Sequence, residues 1–121
     1  MNHVLIVEDS LTDKEILTLC LKNNGISVVT AKSAEEAFVQ VKNHQFDLII
    51  LDVVLPDRSG FEICRELKDD AATKQVPVII CSTKGTEMDK FWGLKQGADA
   101  YLAKPIDQDE LIQTVKQLVK V

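Results

Sequence analysis

Apolar residues along this chain fall into two alternating patterns. The first is a short aliphatic run: His3-Val-Leu-Ile-Val7, Ile26 to Ala31, Leu48 to Leu51, Val76 to Cys81 and Ala100 to Ala103. Each run reads as a strand, and the four consecutive aliphatic residues Leu48 to Leu51, without polar alternation, predict one buried on both faces. The second recurs at helical spacing. It predicts helices from about Leu11 to Asn23 (apolar at Ile16, Leu17, Cys20, Leu21) and after Ser33 (Ala34, Ala37, Phe38, Val41). A third runs from Ser59 to about Asp69 with Phe61, Cys64 and Leu67 inward, and a fourth from Thr86 to Gln96. The last opens at Asp107-Gln-Asp-Glu110 and carries Leu111, Ile112, Val115, Leu118 and Val119.

Polar residues punctuate the pattern where helices should start and stop. Ser10 is placed to cap the first helix, with Asp13 in its first turn. Ser33-Ala-Glu-Glu36 and Ser59-Gly-Phe-Glu62 read as capping boxes. Asn23-Asn-Gly25 and Gly97 are stop signals. Pro77 stands early in the fourth strand, where a missing N–H costs least. Five strands alternating with five helices imply a parallel α/β sheet with helices on both faces and right-handed crossovers.

Ligands of open α/β sheets bind beyond the carboxyl ends of the strands. At those ends stand Glu8 and Asp9, Asp52, Ser82 and Lys104, while the second strand offers only Lys32 and Ser33. Alone, Glu8-Asp9 reads as a helix-capping pair, Asp52 as a loop acid and Lys104 as a solvated lysine. All of them on one edge is an arrangement that independent surface charges would rarely produce. Three converging carboxylates repel one another, and Lys104 supplies one compensating charge. A divalent cation would supply the rest. Magnesium takes oxygen ligands, one or two carboxylates among them. Asp9 and Asp52 are candidate direct ligands, a carbonyl just past Asp52 a third, and Glu8 a holder of metal-bound water. Carboxylate, cation, amine and hydroxyl are the parts for phosphoryl transfer, in which a carboxylate can itself be the nucleophile. Asp52 would then attack, Lys104 would hold phosphoryl oxygens and Ser82 would donate to one.

The bulk numbers exclude more than they assign. The 121 residues suit one domain, and the net charge of -5 with scattered lysines argues against a nucleic-acid or anionic-membrane partner. Cys20, Cys64 and Cys81 are far apart and form no zinc motif. No signal peptide or membrane-length apolar run is present, which implies a cytoplasmic protein.

The succession Val7-Glu-Asp-Ser10, Leu51-Asp-Val-Val-Leu-Pro-Asp-Arg-Ser-Gly60, Pro77-Val-Ile-Ile-Cys-Ser82 and Gly97-Ala-Asp-Ala-Tyr-Leu-Ala-Lys-Pro105 resembles the receiver domain of two-component response regulators. It runs in order, at matching spacing, along the whole chain. The resemblance implies a flavodoxin-like (βα)5 fold with strand order 2-1-3-4-5, the order of chemotaxis receivers. It implies a single receiver domain over residues 1–121 without an output domain. Asp52 would be phosphorylated by a histidine kinase or phosphotransfer protein. Glu8 and Asp9 would be the metal-binding acid pair, with the Val54 carbonyl completing the Mg2+ ligands. Lys104 would contact the phosphoryl group, Ser82 would move toward it, and Tyr101 would be the switch aromatic turning inward. Lys104-Pro105 is where the family often has a cis peptide, open to an X–Pro bond because cis costs only about 0.5–1 kcal/mol there. Glu8 replaces a more usual Asp. Val54 and Lys84 occupy variable positions, and Val54 offers nothing to orient an attacking water, so the phosphorylated state should be long-lived.

As a receiver the chain would be a switch, not an enzyme acting on other molecules, although it would catalyse its own phosphotransfer and slow dephosphorylation. Its output would be protein contact through the fourth helix, fifth strand and fifth helix, or relay of the phosphoryl group as a sink. In the fourth helix Met88, Phe91, Leu94 and Ala98 share one face, with Trp92 on the flank. Trp92 either packs over the helix edge or anchors a partner. The run Met88-Asp-Lys-Phe-Trp-Gly-Leu-Lys-Gln-Gly97 is similar to that of stand-alone regulators of pilus-driven motility and phototaxis. Rival readings are a phosphohydrolase, which would need a second Asp where Val54 stands, and a flavodoxin-like cofactor binder, whose phosphate loop would not carry Glu8-Asp9. A phosphate-independent adaptor of the same fold is the third.

Overall fold

A computed structural model describes residues 2–119. Its strands are β1 His3–Val7, β2 Ser27–Ala31, β3 Leu48–Leu51, β4 Val78–Ser82 and β5 Ala100–Ala103. Its helices are α1 Leu11–Lys22, α2 Ala34–Asn43, α3 Gly60–Asp69, α4 Glu87–Lys95 and α5 Gln108–Leu118. All strand pairs are parallel, in the order β2-β1-β3-β4-β5. Among the described residues no helix is long and apolar enough to cross a membrane.

The aliphatic runs of β1, β3 and β4 are continuous because each of these strands feeds two cores, whereas the edge strand β2 has Ser27 and Thr30 exposed. Leu5, Val7, Ile49, Leu51, Val78 and Ile80 pack with Ala34, Ala37, Ile63, Cys64 and Leu67 on one face. Val4, Ile6, Leu48, Ile50, Ile79 and Cys81 pack with Leu17, Cys20, Leu21, Leu111 and Val115 on the other. Successive side chains of a strand point to opposite faces, so neither face of the central strands can be polar.

Several expectations need correction. Ile16 is 40% exposed and lies outside the buried stripe of α1. In α3 the buried residue between Gly60 and Cys64 is Ile63, while Phe61 is only half-buried. Pro77 precedes β4, its carbonyl accepting from the Ile49 N–H at 3.0 Å. Neither expected capping box closes reciprocally. Ser33 Oγ accepts from Glu36 N, but the Glu36 carboxylate reaches back to Lys32 N instead. Ser59 Oγ accepts from Phe61 N, and Glu62 lies beside Arg58. The reciprocal box is at α4, where Thr86 Oγ1 accepts from Asp89 N at 3.1 Å and Asp89 Oδ2 from Thr86 N at 3.2 Å. Met88, Phe91 and Leu94 are 73%, 55% and 51% exposed, so α4 turns its large apolar residues outward and sits on Gly93.

Candidate functional site

Backbone hydrogen bonds carry the ladder past the strand ends and fix the residues there. Glu8 N donates to Ala31 O at 2.9 Å, Asp52 N to Val7 O at 3.1 Å, and Lys104 N to Ser82 O at 2.9 Å. The loop after Asp52 folds tightly under α3, with Gly60 N donating to Val53 O at 2.8 Å. Asp57 of that loop then caps α2, its carboxylate accepting from Ala34 N at 2.9 Å and Glu35 N at 3.0 Å. Those backbone bonds, Ala34 foremost, hold its pKa below the usual range.

The strand-end side chains converge. Lys104 Nζ lies 2.5 Å from Glu8 Oε1, 2.9 Å from Asp13 Oδ2 and 3.0 Å from Asp52 Oδ2. Its side chain is 7% exposed, and those of Glu8 and Asp52 are 2% and 9% exposed. Asp52 Oδ1 accepts from Val54 N at 3.3 Å. Burial, with the charge of Asp52 adding to it, pushes the Glu8 carboxyl up to about 7 against the opposing pull of Lys104. Burial alone would lower the Lys104 amine, but hydrogen bonds to Glu8, Asp13 and Asp52 together outweigh it and raise the pKa.

Glu8, Asp9 and Asp52 each bring a carboxylate oxygen to within 4.8 Å of the others. Glu8 and Asp52 are buried and Asp9 is exposed, so the trio opens to solvent on the Asp9 side. Three hard oxygen donors around one point, with a single amine to offset them, fit a magnesium-sized cation that keeps some of its waters.

Ser82 is fully buried and its Oγ accepts from Lys84 N at 3.2 Å. The Tyr101 hydroxyl donates to the Lys84 carbonyl. Tyr101 is half-buried, and burial pushes its phenol up to about 12. Lys84, read from sequence only as a variable position, therefore joins the hydroxyl and the aromatic. Lys104-Pro105 is cis. Trp92 is 52% exposed. The three cysteines are buried, with the Cys81 thiol pushed up to about 12 by burial. A cavity of about 470 Å³ between Val41, His44, Phe46, Asp47 and Pro77 lies away from the carboxylates.

Sequence reasoning missed Asp13 as a member of this group. It was read only as a first-turn acid. The signal available was only its place in the first turn of α1, directly after the strand-end acids.

Comparison with known proteins agrees with this geometry. The family model for the response regulator receiver domain matches residues 4–116. Protein PilH of Pseudomonas aeruginosa is 38% identical over 119 residues, covering 98% of both chains. A protein assigned as a response regulator in Chloroflexus aurantiacus superposes with a TM-score of 0.95 at 35% identity, over 99% of this chain and 98% of that one. Chemotaxis protein CheY4 of Vibrio cholerae does so with a TM-score of 0.90 at 30% identity, over 98% of both. Sheet order, strand-end carboxylates and this breadth of likeness together place the chain in the response regulator receiver family.

Proposed function

We propose that this chain is a phosphorylation-operated switch in two-component signalling, with Asp52 as the phosphoacceptor. The observation that carries the reading is the meeting of Lys104 Nζ with Asp52 and Glu8 in a nearly buried cluster that Asp9 completes. An Asp52 carboxylate oxygen forms the new P–O bond. The P–N bond to a histidine of the donor kinase or phosphotransfer protein breaks, and the departing imidazole keeps the bonding pair and takes a proton from water. Lys104 offers its N–H groups to the phosphoryl oxygens, and Ser82 turns its hydroxyl to another. Mg2+ held by Glu8, Asp9, Asp52 and the Val54 carbonyl would supply charge neutralisation. The protein acts on its own side chain and on no separate substrate.

The signal leaves through Lys84. Moving Ser82 toward a phosphoryl group breaks its bond with Lys84 N and disturbs the carbonyl that holds Tyr101. Tyr101 lies under α4, so the face built by α4, β5 and α5 changes and a downstream protein reads it. The similarity to PilH supports assigning that output to pilus-based motility.

Acetyl phosphate with Mg2+, followed by intact mass, tests the reading. Wild type gains one phosphoryl group and Asp52→Asn gains none. A wild type that stays unmodified in acetyl phosphate and beside active histidine donors would leave only a phosphate-independent adaptor. Phosphorylation that changes no protein contact would indicate a sink.

A further inference from the structure

We propose that Asp13 is a positioning residue for Lys104, an inference that rests on the phosphoacceptor reading of Asp52. A lysine ammonium has three N–H donors, and here each has a carboxylate partner: Glu8, Asp13 and Asp52. Two of those partners also belong to the cluster of oxygens that converge on one point, and Asp13 does not. Asp13 is thus the one carboxylate on the amine with no second task.

This division matters when the site is in use. Once Glu8 and Asp52 turn their oxygens to a cation and an incoming phosphoryl group, two N–H groups are released toward the phosphoryl oxygens. The third stays on Asp13, which fixes where the other two point. The Lys104 side chain is 7% exposed, so little water stands ready to replace a missing partner. Asp13 is held in turn by its own backbone, since its N–H donates to Ser10 Oγ in the first turn of α1. That position favours a negative charge through the helix dipole. Its side chain is 37% exposed and keeps one side in water while the other faces Lys104. Without Asp13, the amine retains its attraction to Asp52 and loses the anchor that draws it aside.

The test compares Asp13→Asn, which keeps shape and removes charge, with Asp13→Ala and Asp13→Glu. Phosphorylation by acetyl phosphate is followed by intact mass, Mg2+ binding by calorimetry, and the Lys104 ammonium by nitrogen NMR in metal-free protein. Asp13→Asn and Asp13→Ala should slow phosphorylation by about tenfold or more, the scale of one lost charge-assisted hydrogen bond. Mg2+ affinity should stay near wild type, the Lys104 resonance should shift or broaden, and Asp13→Glu should recover part of the rate. If the alanine variant fails to fold, the asparagine variant carries the comparison. An unchanged rate and an unmoved Lys104 signal in folded Asp13→Asn would overturn the inference. So would a parallel loss of Mg2+ affinity, which would make Asp13 a ligand. A wild type that never accepts a phosphoryl group sinks the phosphoacceptor reading and this inference together, whereas a phosphorylated wild type with an indifferent Asp13→Asn sinks this inference alone.

Discussion

Gly93 lies flat against the ring of Tyr101, so close that a Cβ at residue 93 would stand 2.6 Å from Cδ2 and 2.8 Å from Cε2. Gly93 is the buried residue of α4, and the helix rests on the aromatic without a side chain between them. Gly93→Ala would favour the helix intrinsically by about 0.5–1 kcal/mol. The overlap should cost about 1–3 kcal/mol because the ring or the helix must move. We expect net destabilisation on the order of 1 kcal/mol and displacement of Tyr101 from the Lys84 carbonyl. Thermal unfolding and the emission of Trp92, the chain's one tryptophan and the neighbour of Gly93, should both change. Unaltered melting and emission would show that the contact is slack.

Much of this was readable beforehand, for physical reasons. A run such as Leu48–Leu51 can be little else than a strand with both faces covered, and a residue directly after it must stand at the sheet edge. The position of Asp52 at the sheet edge, and that of Lys104 after Ala100–Ala103, follow from this alone. The pairings made by side chains across loops were not readable. Asp57 caps the first two N–H groups of α2 from 23 and 22 residues away, beside the Ser33 cap that the sequence does suggest. The outward face of α4 was hidden because spacing shows which residues share a side and not which side packs, and the packing residue is a glycine with no hydrophobic signal.

Gly60 is the tightest point beneath Asp52. A Cβ there would lie 1.9 Å from the Asp52 carbonyl oxygen and 2.8 Å from Val53 Cα. Both are backbone atoms, so no side-chain rotation relieves the overlap. Gly60→Ala should destabilise the fold by about 2–4 kcal/mol and weaken Mg2+ binding by shifting the loop that carries Asp52 and Val54. Urea unfolding and calorimetry measure the two effects, and a near-native midpoint would contradict the prediction.

On the proposed function, cation binding should depend on pH through Glu8. Its folded pKa is raised to about 7 from 4.5. A raised carboxyl contributes stability that is full below the unfolded pKa and is lost as pH rises through the folded one, here between 4.5 and about 7. Metal binding needs the deprotonated form and runs the opposite way. The rise in melting temperature given by Mg2+ should therefore be larger at about pH 8 than at about pH 5.5, and Glu8→Gln should flatten the metal-free profile. A Mg2+ effect that does not vary with pH would mean that Glu8 does not titrate in this range.

Trp92, with Met88 beside it at i−4, presents an exposed apolar strip on α4. A half-exposed tryptophan adds little to the fold but is well suited to anchor a partner. Trp92→Ala should lower stability by less than about 1 kcal/mol and weaken binding of the downstream protein by about 2 kcal/mol or more. Urea unfolding and titration with the partner captured in the phosphorylated state separate the two. Equal stability loss with unchanged binding would return Trp92 to a packing role.

With Asp52 as the proposed phosphoacceptor, the lifetime of the phosphorylated state should depend on what stands beside it. Hydrolysis requires a water held in line with the phosphorus and a group to receive its proton, and a well-placed polar side chain contributes strongly to both. Val54 is 52% exposed and offers only methyl groups at this point, while its N–H is already given to Asp52 Oδ1. Water reaches the site but nothing at residue 54 orients it. The isolated phosphoprotein should decay slowly, and Val54→Asn, which adds an amide able to hold a water, should speed loss of the phosphoryl group by about tenfold. Intact mass after removal of the phosphodonor measures both rates. Fast decay of the wild type, or a rate indifferent to Val54→Asn, would show that the attacking water is aligned by another part of the site.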